Sequence, residues 1–191
     1  MEQDLMADIA VREALFFPDC SRTVDRQPDW YVVYVKSRHE FLVSDELQRK
    51  GIATFLPSFR AVRQWKDRKK TIECALFPGY VFIEAASAPG AFLNVLKTRG
   101  VVAIISQEQG KPSPVAPDEL RALRILVESG RDLDLYPGLQ LGTKVRVKNG
   151  PLKNAEGILL NRANECLFLV NLSLLGRSVS VKIFAQDIEA Q

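Results

Sequence analysis

The stretch Leu76-Phe77-Pro78-Gly79-Tyr80-Val81-Phe82-Ile83 is a long, dense apolar block that a Pro-Gly pair divides. Its second half, from Tyr80 to Ile83, consists of β-branched and aromatic residues and predicts a buried strand. Proline removes a ladder donor and glycine permits unusual backbone angles, so the pair predicts a kink or bulge where the strand begins. Such a kink would re-aim the flanking aromatic side chains of Phe77 and Tyr80.

Composition limits the classes of protein to which the chain can belong. Its 191 residues suffice for one large or two small domains, and 47% hydrophobic residues suffice for a core. No apolar run approaches the roughly 18 residues of a membrane span, so no membrane role is expected. The acidic start Met1-Glu2-Gln3-Asp4 is unlike a secretory signal.

The cysteine and histidine content argues against catalysis and metal binding. Cys20, Cys74 and Cys166 lie far apart without a C-x-x-C motif, which disfavours a disulfide framework and a zinc site and fits a reducing cytosol. His39 is the only histidine, so Ser-His-Asp catalysis lacks its residues. Asp118-Glu119 is typical of a helix start rather than of a catalytic dyad. We therefore expect no enzyme, catalytic residue, cofactor or metal.

The charge is distributed unevenly along the chain. Residues 1–29 carry seven acidic and three basic residues, whereas residues 30–130 carry fifteen basic and ten acidic ones, and residues 139–191 carry seven basic and four acidic ones. Two mildly basic segments behind an acidic leader are compatible with nucleic-acid contact. They lack the strongly basic composition of a protein that binds DNA by charge alone.

Residues 30–129 predict an α/β sandwich with a largely antiparallel sheet and helices packed against it. Ser37 and Glu40 have the spacing of a capping box at the start of the first helix. The predicted elements are a strand at 30–35, a helix from 37 to about 50, a strand from 52 to about 64, a hairpin tip at 65–70, a return strand at 71–83, a helix at 91–98, a strand at 101–105 and a helix from 117 to about 129.

The rest of the chain predicts a leader, a linker and a second domain. Residues 1–29 predict a loosely ordered leader, and residues 130–138 predict a short linker. Lys144 to Lys148 alternate strictly between polar and apolar residues, which predicts a half-exposed strand. Short β-like runs with Gly and Asn turns continue through residues 139–191 and predict a small closed β-barrel.

Six motifs follow one another along residues 30–191. They are Trp30-Tyr31-Val32-Val33, Phe55-Leu56-Pro57, residues 63–70, Leu76 to Phe82, Thr98-Arg99-Gly100-Val101-Val102, and a KOW-type signature at residues 142–152. In this order they resemble the NusG family of transcription elongation factors. The resemblance implies an N-terminal NGN domain followed by a KOW domain, which is an SH3-like barrel. Within the family, the chain resembles specialised members such as RfaH and the UpxY-type antiterminators.

In the family, an apolar depression on the NGN domain grips the clamp helices of RNA polymerase, which is helix-in-groove recognition. Side chains alternate between the two faces of a strand, so the alternative is that half of the matching residues are ordinary core residues. We expect Val81 and Ile83 to lie in the core while the kink presents Tyr80 and Phe82 to the partner. The resemblance implies a polymerase-binding set of Phe77, Pro78, Tyr80, Phe82, Trp30, Tyr34, Leu56 and Pro57.

The basic residues have two interpretations of about equal weight. They form a solvated face and a charged hairpin that protects a sheet edge, or they contact the DNA strand displaced during transcription. Lys36 and Arg99 match positions that RfaH-type proteins use for the second purpose, and Trp65 or His39 would stack on bases. The candidate nucleic-acid set is Lys36, Arg38, His39, Arg99, Trp65, Lys66 and Arg68.

The KOW signature departs from the family at Asn154, where a glycine is common, but asparagine tolerates the left-handed conformation. In general NusG this domain binds Rho or the ribosomal protein NusE, so either is a possible partner here. In RfaH the same segment refolds as helices, whereas the alternation at residues 144–148 predicts that it stays a barrel here.

The resemblance implies a cytoplasmic transcription antitermination or elongation factor, associated with the nucleoid during transcription. It would promote processive transcription of specific operons. The alternatives are a general NusG-type elongation or termination factor and a KOW-containing protein that binds RNA or the ribosome. The long α/β module with its Phe-Pro-Gly-Tyr block disfavours the last of these.

Overall fold

The computed structural model of the chain describes residues 28–64, 69–86, 90–108, 111–137, 142–162 and 165–190. The predicted leader lies outside the described residues except for Pro28 and Asp29. The chain folds as a mixed α and β protein with antiparallel sheets and few helices, as the sequence predicts. In the described residues no helix is both long and apolar enough to cross a membrane.

The first module, defined as residues 28–130, contains six strands and three helices. The strands are β1 (Asp29–Val35), β2 (Thr54–Phe55), β3 (Ser58–Gln64), β4 (Lys69–Ala75), β5 (Tyr80–Ala85) and β6 (Val101–Ile104), and the helices are α1 (Glu40–Arg49), α2 (Leu93–Leu96) and α3 (Pro117–Glu128). Four strands form a sheet in the order β2-β5-β1-β6, in which neighbouring strands are antiparallel. A separate hairpin pairs β3 with β4, as predicted. Strand β4 begins at Lys69, inside the predicted tip at 65–70, and residues 65–68 lie outside the described residues.

The second module spans residues 134–190. Its strands are β7 (Asp134–Pro137), β8 (Thr143–Val147), β9 (Glu156–Arg162), β10 (Glu165–Leu172), β11 (Arg177–Lys182) and β12 (Ile188–Ala190). They form a six-stranded antiparallel sheet in the order β12-β8-β9-β10-β11-β7. Strand β8 alternates between exposed and buried side chains as predicted, and Asn154 adopts the left-handed conformation, with φ of 69°. Strand β7 lies inside the segment predicted to be a linker.

The predicted capping box at Ser37 and Glu40 is wrong. Helix α1 begins at Glu40 with His39 at its N-cap, and no side chain caps it. The Glu40 carboxylate is buried and accepts a 2.7 Å hydrogen bond from the backbone N–H of Gly79 instead. Ser37 and Glu40 have the spacing of a capping box, but the Glu40 carboxylate bonds to the distant Gly79 N–H rather than to the N-terminus of its own helix.

The two long strands predicted on either side of the hairpin are each divided. Leu56-Pro57 separates β2 from β3, because proline supplies no N–H to a ladder. Residues 76–79 separate β4 from β5, and Gly79 has a φ of 86°, which confirms the predicted kink. The helix predicted at 91–98 is shorter than expected, as α2 spans only Leu93–Leu96.

The four-stranded sheet buries two different clusters on its two faces. In the register of β1 with β5, Val33 pairs with Val81 and Val32 pairs with Phe82. One face carries Val33, Val81 and Ile83 and packs against α1 and α2, so the predicted core position of Val81 and Ile83 is confirmed. The other face carries Val32 and Phe82, which belong to a cluster that includes α3 and continues into the core of the second module.

Candidate functional site

The second face of the sheet is lined by aromatic rings, and we call it the aromatic face. Tyr34 and Tyr80 are directly opposite each other on β1 and β5, with ring centroids 5.5 Å apart. The Phe82 ring lies 5.9 Å from Phe55 and 6.2 Å from Phe77. With Trp30 at its end, this face consists of Trp30, Tyr34, Phe55, Phe77, Tyr80 and Phe82.

The Pro78-Gly79 kink that positions Tyr80 is fixed from three sides. The Glu40 carboxylate accepts the Gly79 N–H, and the Gly79 carbonyl accepts the N–H of Val35 at 2.8 Å. The Tyr80 N–H donates to the Phe77 carbonyl at 3.1 Å, which closes the turn. A Cβ at Gly79 would lie 3.2 Å from the Tyr34 ring, so the glycine also allows this ring to pack against the backbone.

The eight residues predicted to bind polymerase differ in exposure. Tyr34 and Pro78 are exposed at one edge of the aromatic face, and Trp30 and Tyr80 are partly buried. Phe77 and Phe82 are fully buried in the cluster that α3 and the second module share, so the expectation that the kink presents Phe82 at the surface is wrong. Leu56 packs against the opposite cluster, so it does not join the aromatic face, and Pro57 is buried beside it.

Arg124 of α3 also belongs to this site, although no sequence pattern marks it as a site residue. Its guanidinium carbon lies 4.4 Å from the Trp30 ring centroid and 5.2 Å from that of Phe55, which are cation–π distances. Its Nε is buried without a hydrogen-bond partner. The helical pattern marks only the apolar stripe of α3, so this stacking depends on the tertiary packing of α3 across the sheet.

The second module contacts the first beside Tyr80. The guanidinium carbon of Arg177 lies 5.6 Å from the Tyr80 ring centroid. On α3, the Glu119 carboxylate accepts hydrogen bonds from the backbone N–H of Ser173 at 3.1 Å and from its hydroxyl at 2.6 Å. In this arrangement, part of the aromatic face is occupied by the chain's own second module.

Four of the candidate nucleic-acid residues lie on two loops that meet in space, namely Lys36, Arg38 and His39 before α1 and Arg99 in the turn before β6. The Lys36 N–H donates to the Gly100 carbonyl at 2.8 Å, which joins the loop before α1 to the Arg99-Gly100 turn. A Cβ at Gly100 would lie 3.2 Å from the His39 ring. The side chains of Lys36, Arg38 and Arg99 are exposed, whereas Trp65, Lys66 and Arg68 lie outside the described residues.

The described residues hold no group of three or more His, Cys, Asp or Glu side chains placed to bind a metal ion. The candidate site comprises the aromatic face and an exposed basic edge, which is formed by Lys36, Arg38 and Arg99. Aromatic anchors and exposed basic groups are typical of surfaces that bind other macromolecules.

Comparisons with known proteins identify the class more closely. The model of the family described as "Transcription termination factor nusG" matches residues 28–124. The Staphylococcus carnosus transcription termination/antitermination protein NusG is 29% identical over 173 residues, which cover 84% of this chain and 94% of the relative. The NusG proteins of several Staphylococcus aureus strains match equally well.

A solved structure described as "Domain interaction in Thermotoga maritima NusG" shares the fold, with a TM-score of 0.50 and 23% identity. The matched region covers 85% of this chain and 97% of the Thermotoga maritima chain. The chain belongs to the NusG family and is a NusG-type transcription termination/antitermination factor. This family consists of non-enzymatic transcription factors that interact with RNA polymerase.

Proposed function

We propose that this protein binds the clamp helices of RNA polymerase through its aromatic face and promotes processive transcription of specific operons. The observation that carries the proposal is the fixed kink at Pro78-Gly79, which sets Tyr80 beside Tyr34 at an edge of the aromatic face that remains partly open. Aromatic anchors in a groove are the usual determinants of helix recognition.

Binding at this face requires the second module to move. The Arg177 guanidinium lies over the Tyr80 ring, and the Glu119–Ser173 hydrogen bonds also join the two modules. A partner helix that packs on Tyr80 has to displace the Arg177 contact. The apparent affinity for the partner therefore equals the affinity of the open state multiplied by the fraction of molecules that are open.

The basic edge supports a second contact within the same function. Lys36, Arg38 and Arg99 are exposed together on the first module, and they would neutralise phosphates of the displaced non-template DNA strand. His39 lies against Gly100 in the same loop cluster, where a base could stack. This contact would help to retain the protein on elongating polymerase.

The second module is the candidate contact for Rho or the ribosomal protein NusE. Phe184 is its most exposed large apolar side chain among the described residues, whereas Leu174 and Leu175 pack against the shared cluster. Phe184 is therefore the first apolar contact to test for such a partner.

The general NusG role is the second candidate function, and the family membership favours it as much as the specialised one. Transcription in vitro on templates with an intrinsic or a Rho-dependent terminator distinguishes the two. A specialised antiterminator increases readthrough and requires a recruiting DNA element upstream, whereas a general factor acts on any template and stimulates Rho. No effect on either template would contradict both candidates.

A further inference from the structure

The strand β7 is the feature of the fold that these functions leave unexplained. It pairs with the outer edge of β11 in an antiparallel register from Asp134 opposite Ser180 to Pro137 opposite Arg177. This register places the first residue of β11, Arg177, both at the end of β7 and over the Tyr80 ring of the first module. The linker strand and the contact that covers the aromatic face therefore meet at one residue.

The pairing of β7 also decides how far the two modules can separate. With β7 in place, only residues 129–133 connect α3 to the second module, and a five-residue chain reaches at most about 17 Å. With β7 detached, residues 129–142 form the connection, which then reaches about 50 Å. A helix with its side chains is about 10–12 Å across, so a pair of clamp helices is about 20 Å across. The short tether does not span that width.

The short tether is itself attached to both modules. The Arg131 guanidinium donates a 3.0 Å hydrogen bond from Nη1 to the Lys182 carbonyl at the far end of β11. The Ser129 hydroxyl donates to the Leu126 carbonyl of α3 and accepts the Arg131 N–H. Leu133 packs against the cluster that the modules share. These contacts hold the entry of β7 against both α3 and β11.

The strand β7 has the properties of an element that detaches before the rest of the sheet. It is four residues long, it lies at the sheet edge with a single neighbour, and Asp134 and Leu135 are exposed. Short edge segments with few buried contacts open at low free energy. Pro137 also lacks an N–H for the ladder.

We propose that β7 is a clasp: paired with β11, it shortens the tether and holds the second module over the aromatic face, and its detachment releases that module. The proposal rests on the proposed function, since the face that the clasp protects is the proposed polymerase site. Effective concentration falls roughly as the −3/2 power of tether length. Lengthening the tether from five to fourteen residues therefore weakens closure about five-fold.

The test replaces residues 134–137 with Gly-Ser-Gly-Ser in the full chain, which keeps the linker length but removes the strand. Small-angle scattering measures the separation of the modules, and calorimetry measures affinity for a polymerase clamp-helix fragment. We expect a larger radius of gyration and binding about five-fold tighter or more. Asp134→Thr with Leu135→Val, which favours a strand, is the matched control; it should be at least as compact as the wild type and should bind no more tightly.

A second variant keeps β7 and inserts five Gly and Ser residues after Gly130, which doubles the tether and should strengthen binding about three-fold. If the first variant no longer unfolds in a cooperative thermal transition, and so is not folded, this second variant alone tests the proposal. Unchanged compactness and affinity in these variants would overturn the clasp. Expansion without tighter binding would leave the clasp in place and would show instead that the clamp helices do not bind the aromatic face.

Discussion

The buried carboxylate of Glu40, at the first residue of α1, accepts a 2.7 Å hydrogen bond from the backbone N–H of Gly79. This bond ties the start of a helix to the kink that precedes β5, and the two residues are 39 positions apart in the sequence. It explains why an apolar strand can begin with a Pro-Gly pair, because the freed donor at the kink finds a charged acceptor.

Substitution of Glu40 by Ala should lower the free energy of unfolding by about 1–3 kcal/mol, because it leaves the Gly79 N–H buried without an acceptor. It should also weaken clamp-helix binding, since Tyr80 follows the kink directly. Urea denaturation and calorimetry measure the two effects. Glu40→Gln keeps an oxygen acceptor and should recover part of both. Asp45→Ala, at an exposed position of the same helix, is the control and should change stability by less than about 0.5 kcal/mol.

Substitution of Gly79 by Ala should destabilise the protein more than Gly51→Ala does. Both glycines have positive φ, 86° and 77°, so both variants carry the strain of a left-handed alanine, about 1–2 kcal/mol. Only at Gly79 would the new Cβ approach another group, the Tyr34 ring at 3.2 Å, whereas nothing lies within 4 Å at Gly51. The difference between the two denaturation midpoints measures this contact. Equal losses would mean that Tyr34 does not pack on the kink.

Substitution of Arg177 by Ala should favour the open arrangement, because it removes a cation–π contact worth about 0.5–1 kcal/mol from the Tyr80 ring. Affinity for the clamp-helix fragment should rise about two- to five-fold, as measured by calorimetry, and scattering should show a less compact chain. Arg146→Ala removes an arginine of the same module that pairs with Glu156, and it should change neither quantity. Tighter binding by both variants would point to a general loss of positive charge as the cause.

Substitution of Lys36 and Arg99 together by Ala should reduce the salt dependence of single-stranded DNA binding. Each lost phosphate contact lowers the slope of log K against log salt concentration by about 0.7, so the double variant should lose about 1.4. Fluorescence anisotropy over a salt series measures the slope. Lys144→Ala with Lys148→Ala removes two exposed charges from the second module and serves as the control. An unchanged slope in the first double variant would restrict these residues to a solvated face.

Local patterns predicted the strands that alternate and the place where backbone geometry changes. The period of two along β5 separated Val81 and Ile83 from Tyr80 and Phe82, and the structure confirms that division of faces. The left-handed conformations at Gly79 and Asn154 also follow from residue type. These features depend on neighbours in the sequence, so the sequence alone reveals them.

Features that depend on long-range packing were not predictable in the same way. Glu40 has the spacing of a capping residue, and nothing nearby in the sequence indicates that the Gly79 N–H will use its carboxylate. Arg124 looks like a solvated helix position until α3 crosses the sheet and places it over Trp30. The sequence predicts a linker where β7 lies. A four-residue strand is stable only when it pairs with an edge such as that of β11, and the local sequence does not show that this edge is available.

The most direct test of the polymerase-binding proposal is the affinity of the clamp-helix fragment for a Tyr80→Ala variant, made in the Arg177→Ala background so that the closing contact is absent throughout. Phe59→Ala removes an exposed aromatic side chain of the β3–β4 hairpin, outside the aromatic face, and is the matched control. Calorimetry should find binding at least ten-fold weaker for Tyr80→Ala, as expected when an aromatic anchor is removed. It should find unchanged binding for Phe59→Ala. Equal affinities for the two variants would contradict the assignment of the aromatic face as the polymerase-binding surface.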